Sequence, residues 1–153
     1  VMFEGIKKFA LGKPVRRGLF LAAWLQLGRA WWLLRRRPVR EVLAGFGRDG
    51  EDENAPPCSP GQLETADAIG RAVRAAAART PWPSSCLVQV LAAQRMLRAR
   101  GIGGSVFIGA ARQGEQFEFG AHAWLKCEAL FVTGEGGHES YTVISRFSWS
   151  PAA

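Results

Sequence analysis

Acidic residues are scarce in this chain of 153 residues, which has 13 Asp and Glu against 20 Lys and Arg and a formal net charge of +7. The shortage is uneven: Glu4 and Glu41 are the only acids before residue 49, whereas residues 49–67 carry acids and no base. From residue 68 to residue 100 the only charged side chains are arginines. Such arginine-rich faces are usually solvated. No zinc spacing or aromatic RNA-binding signature accompanies them, so we expect no nucleic-acid partner.

Metal-binding residue types are also few. The chain has 3 cysteines and 2 histidines, and they do not fall at the spacing of zinc ligands. A nucleotide-binding glycine loop is missing as well. We therefore expect neither a metal nor a cofactor. The odd number of cysteines and the lack of a secretory signal sequence predict free thiols in a reducing cytoplasm.

Long apolar runs are limited to one segment, GLFLAAWLQLGRAWWLL at residues 18–34. Gln26 and Arg29 interrupt it, and it is shorter than the roughly 20 apolar residues that cross a bilayer. Its large side chains recur at helical spacing on one side: Phe20, Trp24, Leu27, Trp31 and Leu34. This pattern predicts an amphipathic helix packed on the core. The flanking basic residues leave two other uses open, a peripheral membrane contact through residues 18–37 and a partner groove.

The distribution of Gly, Pro and charge divides the chain into three parts. We expect a helical arm at residues 1–46, an acidic Gly/Pro-rich mobile loop at residues 47–61 and a core at residues 62–153, all within one compact domain. A capping box from Ser59 to Gln62 begins the first core helix.

A second core helix is expected from Ser84 or Ser85 to Gly101, a residue suited to the position after a helix end. Four β-rich runs follow Gly101, namely SVFIGAA, FEFGAHAWLKC, ALFVT and SYTVISRF, and short polar turns join them. Helices followed by about four consecutive antiparallel strands define an α+β fold.

Cys86 and His122 are the residues whose positions suggest chemistry. A cap at Ser84 or Ser85 puts the Cys86 thiol in the first turn of a helix, where free N–H groups stabilise a thiolate and can receive an oxyanion. A small buried structural cysteine is the other interpretation of this pattern. His122 lies in a strand, which could hold a base against the thiol, whereas His138 lies in a glycine-rich loop.

The stretch PWPSSCLVQVLAAQRMLRARGI, followed by SVFIGAA and AHAWLKC, resembles the transglutaminase-like cysteine proteases that remove leader peptides in lasso peptide biosynthesis. The resemblance covers most of the chain and implies a papain-like arrangement. It implies that Cys86 is the nucleophile, that its backbone N–H helps to bind the oxyanion, and that His122 is the base. From their positions in the sequence, Trp82 could help to close the cleft or could be a packing anchor, and Gln89 could donate towards the site or cap its wall.

The third catalytic residue departs from the family pattern. Members usually carry an Asp on the strand after the histidine, and ALFVTGEGG has none. Glu135 is the nearest acid and is predicted as the third member, with Thr133 as a weaker substitute. The alternative is a Cys–His pair that a backbone carbonyl orients.

The resemblance also implies partners. The substrate would be the leader–core junction of a precursor peptide, and a separate leader-recognition protein would present it, since residues 1–46 are too few for such a domain. A separate ATP-dependent lasso cyclase would act afterwards and is a further candidate partner. The expected location is the bacterial cytoplasm, with membrane association left open. Two alternatives remain: a transglutaminase-type acyl transferase, which would use the same Cys and His, and a non-catalytic scaffold of a membrane-associated biosynthetic complex.

Overall fold

The computed structural model describes residues 14–46, 48–49, 57–113 and 118–150. The helices are α1 (Pro14–Arg36), α2 (Val39–Ala44), α3 (Pro60–Ala77) and α4 (Cys86–Ala99). The strands are β1 (Arg48–Asp49), β2 (Gly104–Gln113), β3 (Glu118–Cys127), β4 (Leu130–Thr133) and β5 (Thr142–Trp149), and a 3-10 turn (His138–Ser140) precedes β5.

The strands form one antiparallel sheet in the order β1-β5-β2-β3-β4. Helices followed by consecutive antiparallel strands confirm the predicted α+β fold, and β2 to β5 are the four expected strands. The short β1 adds a fifth, because Arg48 and Asp49 pair with Ser148 and Phe147. These two residues belong to the predicted acidic loop, of which residues 47 and 50–56 lie outside the described residues.

Local sequence signals set the helix starts. The Ser59 hydroxyl accepts a hydrogen bond from the N–H of Gln62 at 3.2 Å, and the Gln62 side chain accepts one from the N–H of Ser59 at 2.9 Å. The predicted capping box at the start of α3 is therefore confirmed. At the C-terminal end of the next helix, α4, Gly101 has a φ of 68°, a conformation that favours glycine. The helix therefore ends close to Gly101, as predicted.

Helix α1 packs against α3 and α4, and its two sides differ. Its buried side contributes Ala23, Leu27 and Ala30 to the hydrophobic core, and the rest of the predicted stripe is partly buried against that core: Phe20, Trp24, Trp31 and Leu34. Its outer side exposes Leu21, Leu25 and Trp32, and Arg36 lies over the Trp32 ring at 5.1 Å. No helix in the described part of the chain is both long and apolar enough to cross a membrane. The peripheral contact through residues 18–37 stays a prediction.

The two faces of the sheet carry different side chains. On β3, Ala123, Leu125 and Cys127 point towards the helices and lie in the core. The alternate residues of the same strand, among them His122 and Trp124, point to the opposite face. The sheet therefore separates an apolar core from a second layer of side chains that includes the predicted base.

Candidate active site

Cys86 is the first residue of α4, and the residue before it explains why the helix begins there. Ser85 has an extended backbone, and its hydroxyl accepts a hydrogen bond from the N–H of Val88 at 3.4 Å. The first N–H groups of a helix, here those of Cys86 and Leu87, find no acceptor within the helix. The half-buried Cys86 thiol thus lies at the positive end of the helix dipole, where an anion is stabilised.

Side chains around this helix start hold its backbone in place. Gln89 donates a hydrogen bond from Nε2 to the carbonyl of Ser84 at 3.1 Å. The Ser84 and Thr80 hydroxyl oxygens lie 2.7 Å apart, and the Thr80 hydroxyl donates to the carbonyl of Trp82 at 2.9 Å. Gln89 therefore fixes the turn before Cys86, which gives the thiol a rigid support.

Trp82 packs against the N-terminal helix. The centre of its ring lies 4.9 Å from that of Trp24 and 6.1 Å from that of Trp31. Gly28 permits this approach, because a Cβ there would lie 3.1 Å from the Trp82 ring. Trp82 thus ties the segment before Cys86 to α1, and its predicted role beside the cleft stays a prediction.

His122 belongs to an aromatic cluster on the sheet face that points away from the helices. The cluster consists of Phe107, His122, Trp124, Phe131, His138 and Tyr141. The His122 ring centre lies 5.7 Å from that of Trp124 and 5.1 Å from that of Tyr141. Gly109 lies opposite His122 in β2 and makes room for this packing, because a Cβ there would lie 2.7 Å from the Cβ of Tyr141. Packing therefore restricts the orientation of the imidazole.

One hydrogen bond then sets the tautomer of His122. Its Nε2–H donates to the carbonyl oxygen of Gly134 at 2.8 Å. A carbonyl oxygen only accepts, so the proton of the neutral ring is held on Nε2, and Nδ1 keeps its lone pair. His122 is thereby prepared to accept a proton at Nδ1.

Gly134 reaches this position because it is a glycine. Its φ is 79°, a backbone conformation that L side chains rarely adopt. A Cβ at Gly134 would also lie 2.5 Å from the carbonyl oxygen of Ala123 and 2.7 Å from the Cβ of Trp124. Sequence reasoning missed this residue, although the glycine at the place of the expected acid, in TGEGG, was the available signal.

The acid predicted as third member does not contact the imidazole in this structure. The partner of His122 Nε2 is the Gly134 carbonyl, and the exposed Glu135 carboxylate makes no hydrogen bond or ion pair with any described residue. The backbone carbonyl of Glu135 instead accepts a hydrogen bond from His138 Nδ1 at 2.7 Å. The Thr133 hydroxyl is buried on the core face without a partner. The arrangement matches the alternative of a carbonyl-oriented histidine.

Cys86 and His122 lie on different elements of the fold. Cys86 opens α4 and packs against the hydrophobic core, whereas His122 points to the face of the sheet away from that core. Within the described residues, no hydrogen bond joins the Cys86 thiol to the imidazole.

The other two cysteines lie together, which the sequence did not indicate. The thiols of Cys58 and Cys127 both approach the carbonyl of Gly103, at 3.9 and 3.4 Å. Burial raises the pKa of Cys127 to about 12, and the charges of Cys58 and Glu128 add to this effect. Burial and then Glu128 also raise the pKa of Cys58. Both thiols are therefore kept protonated, unlike a nucleophile. In the described part of the chain, no group of three or more His, Cys, Asp or Glu could hold a metal ion.

Helices that pack on an antiparallel sheet, with a cysteine opening one helix and a histidine on the sheet, define a transglutaminase-like α+β fold. A family model described as the transglutaminase-like superfamily matches residues 23–146, and the chain belongs to that superfamily. Its domain fits cysteine protease or acyltransferase activity. A search of curated proteins finds no match to this chain, and a search of solved structures finds none either.

Proposed function

We propose that this protein is a cysteine endopeptidase that removes the leader peptide from a ribosomally made lasso peptide precursor. The observation that carries the proposal is the position of Cys86 at N1 of a capped helix, in a chain of the transglutaminase-like superfamily. His122, with its proton held on Nε2, is the matching base. The lasso precursor as substrate rests on the sequence resemblance around Cys86 and His122.

In the proposed first step, His122 Nδ1 takes the thiol proton and the Cys86 sulfur attacks the scissile carbonyl carbon. The C=O π bond opens, and the negative charge on oxygen is received by helix N–H groups, beginning with that of Cys86. The tetrahedral intermediate then collapses. The C–N bond breaks, the imidazolium gives its proton to the leaving amine, and a thioester to the leader peptide remains.

In the proposed second step, His122 takes a proton from a water molecule that attacks the thioester. The C–S bond breaks, the leader leaves with a free carboxylate, and Cys86 recovers its proton. The released core peptide has a new amino terminus, which a separate ATP-dependent cyclase would use. A separate leader-recognition protein would present the precursor, and the proteolysis itself consumes no ATP.

Catalysis requires the Cys86 sulfur and the His122 imidazole to approach within hydrogen-bond reach, about 3 Å. Because Cys86 packs on the core side and His122 points to the other face of the sheet, the proposal requires this region to rearrange when substrate binds. The Gly134 carbonyl is the proposed orienting group, because it already accepts the Nε2–H and lies at the place where the family usually has an acid. Glu135 would then contribute its backbone, which holds His138, and not its carboxylate.

The test is mass spectrometry of a candidate lasso precursor incubated with this protein and its recognition partner. Wild type should cut once between leader and core, and both Cys86→Ala and His122→Ala should lose the cut. Cys58→Ala is the matched control, because it removes another partly buried thiol and should retain cleavage. Undiminished cleavage by Cys86→Ala would show that the proposal is wrong.

Two outcomes of the same experiment identify the alternatives. If added methylamine is joined to the leader carboxyl in place of water, the protein is a transglutaminase-type acyl transferase, because water and amine compete for the same thioester. If no variant and no wild-type sample cuts or transfers, yet the protein still binds the recognition partner and cyclase, it is a non-catalytic scaffold. The Cys86 thiol should then alkylate no faster than a free cysteine.

A further inference from the structure

A groove runs between α1, the end of α2 and the C-terminal half of α4, away from Cys86. It encloses a volume of about 670 Å³, a size typical of ligand sites. Its apolar lining includes Leu33, Leu91 and Met96, and its charged lining consists of Arg29, Arg95, Arg98 and Arg100. Among the described residues, the lining contains neither Asp nor Glu. We call this feature the basic groove.

Two of its four arginines are already engaged. Arg98 donates a hydrogen bond to the carbonyl of Phe46 at 3.1 Å, and Arg100 donates one to the carbonyl of Met96 at 3.1 Å. Arg29 and Arg95 differ, because neither makes a hydrogen bond or ion pair with any residue that the structure describes. No described residue therefore occupies their donors.

Arg29 and Arg95 also act on each other across the groove, from α1 and α4. Burial and then the positive charge of Arg95 lower the pKa of Arg29. Two like charges near an apolar lining destabilise each other unless an anion lies between them. A planar guanidinium pairs best with a carboxylate or phosphate, through two parallel hydrogen bonds.

We propose that the basic groove binds an acidic peptide segment, with a carboxylate paired to Arg29 and Arg95 and an aliphatic side chain against the apolar lining. A peptide fits the groove better than other polyanions do. A flat bilayer does not enter a concave site between helices. Single-stranded nucleic acid needs exposed rings for stacking, and the aromatic residue of this lining, Phe46, is fully buried. This binding does not depend on the proposed peptidase activity.

The test is fluorescence anisotropy with a fluorescein-labelled peptide of about eight residues, long enough to span the groove when extended. The probe carries two Glu and two Leu, and its counterpart has Gln in place of Glu. Arg29→Gln/Arg95→Gln is the test variant, and Arg37→Gln/Arg79→Gln is the control, since it removes the same charge from exposed positions outside the groove. We expect the test variant to bind the Glu peptide at least about tenfold more weakly, whereas the control stays within about twofold of wild type.

Each other result would overturn the proposal. Equal weakening by both double variants would mean long-range attraction by net charge. If the Gln peptide binds as tightly as the Glu peptide, or if the Glu peptide does not bind to wild type, the groove does not recognise a carboxylate. Binding to vesicles of phosphatidylglycerol and phosphatidylcholine is measured with the same variants. If only vesicle binding depends on Arg29 and Arg95, the ligand is a lipid and not a peptide. Should the double variant fail to show a native melting transition, the single variants Arg29→Gln and Arg95→Gln replace it, each with an expected loss of about threefold.

Discussion

His122 Nε2 lies 2.8 Å from the carbonyl oxygen of Gly134, and this hydrogen bond fixes which nitrogen of the ring carries the proton. A backbone carbonyl cannot be removed by a side-chain substitution and does not titrate. An orienting group of this kind therefore gives a histidine a fixed tautomer at any pH at which the ring is neutral. The contact with His122 is made by Gly134, which sequence reasoning missed, and not by the Glu135 carboxylate.

Replacing Glu135 by Gln should leave cleavage within about threefold of wild type. The carboxylate makes no hydrogen bond or ion pair within the described residues, and the exposed charge is well screened. Rates of precursor cleavage measured under single-turnover conditions check this. If the cleavage rate falls by about a hundredfold or more, the Glu135 carboxylate and not the Gly134 carbonyl orients His122.

Replacing Gly134 by Ala should reduce cleavage by about a hundredfold, because a small displacement of the base has that effect. The added Cβ would meet the carbonyl oxygen of Ala123 at 2.5 Å, and a φ of 79° is strained for any L residue. Gly136→Ala is the matched control in the same loop, since a Cβ there meets nothing within 4 Å. Similar rates for the two variants would argue against the Gly134 carbonyl as the orienting group.

The three thiols should alkylate at different rates. We expect Cys86 to react first with iodoacetamide at pH 7.5, because it is half-exposed at the positive end of a helix. Burial raises the pKa of both Cys58 and Cys127, so few of these thiols ionise at that pH. Peptide mass spectrometry over time gives the three rates separately. Labelling of Cys58 ahead of Cys86 would contradict the assignment of the nucleophile.

The free energy of unfolding should fall as the pH rises above about 8.5, the ordinary pKa of an unfolded cysteine. Burial raises the pKa of Cys127 to about 12 in the folded state, so only the unfolded chain ionises there between these two values. The stabilisation is complete below pH 8.5 and is lost as the pH rises towards 12. By pH 10.5 the loss should be roughly 1–3 kcal/mol.

Urea denaturation of Cys127→Ala at pH 7.5 and at pH 10.5 measures this contribution. The variant should lose less stability between the two pH values than wild type does. Val132→Ala is a suitable control, because it also removes buried apolar volume but carries no titrating group, and it should keep the wild-type pH dependence. If Cys127→Ala and wild type lose the same stability between the two pH values, ionisation of Cys127 is not the cause of the loss.

Local signals in the sequence were enough for the order of α3, α4 and β2 to β5 and for the starts of these two helices, but not for the short strand β1. The capping box of Ser59 and Gln62 and the glycine at position 101 involve residues within a few positions of each other, so they act before any tertiary contact forms. The alternation along β3 likewise placed His122 on the side of the strand opposite to Ala123. For the same reason, the cap at Ser85 placed Cys86 in the first turn of its helix.

Contacts between distant segments were decided by the tertiary structure alone. Which group meets His122 Nε2 depends on how the β3–β4 connection turns back, and Gly134 rather than Glu135 reaches it because a positive φ there turns the carbonyl towards the ring. Packing across 69 positions brings Cys58 and Cys127 to the same carbonyl. The facing of Arg29 and Arg95 likewise follows from how α1 crosses α4. Such contacts depend on close packing and chain direction, which residue type and spacing do not encode locally.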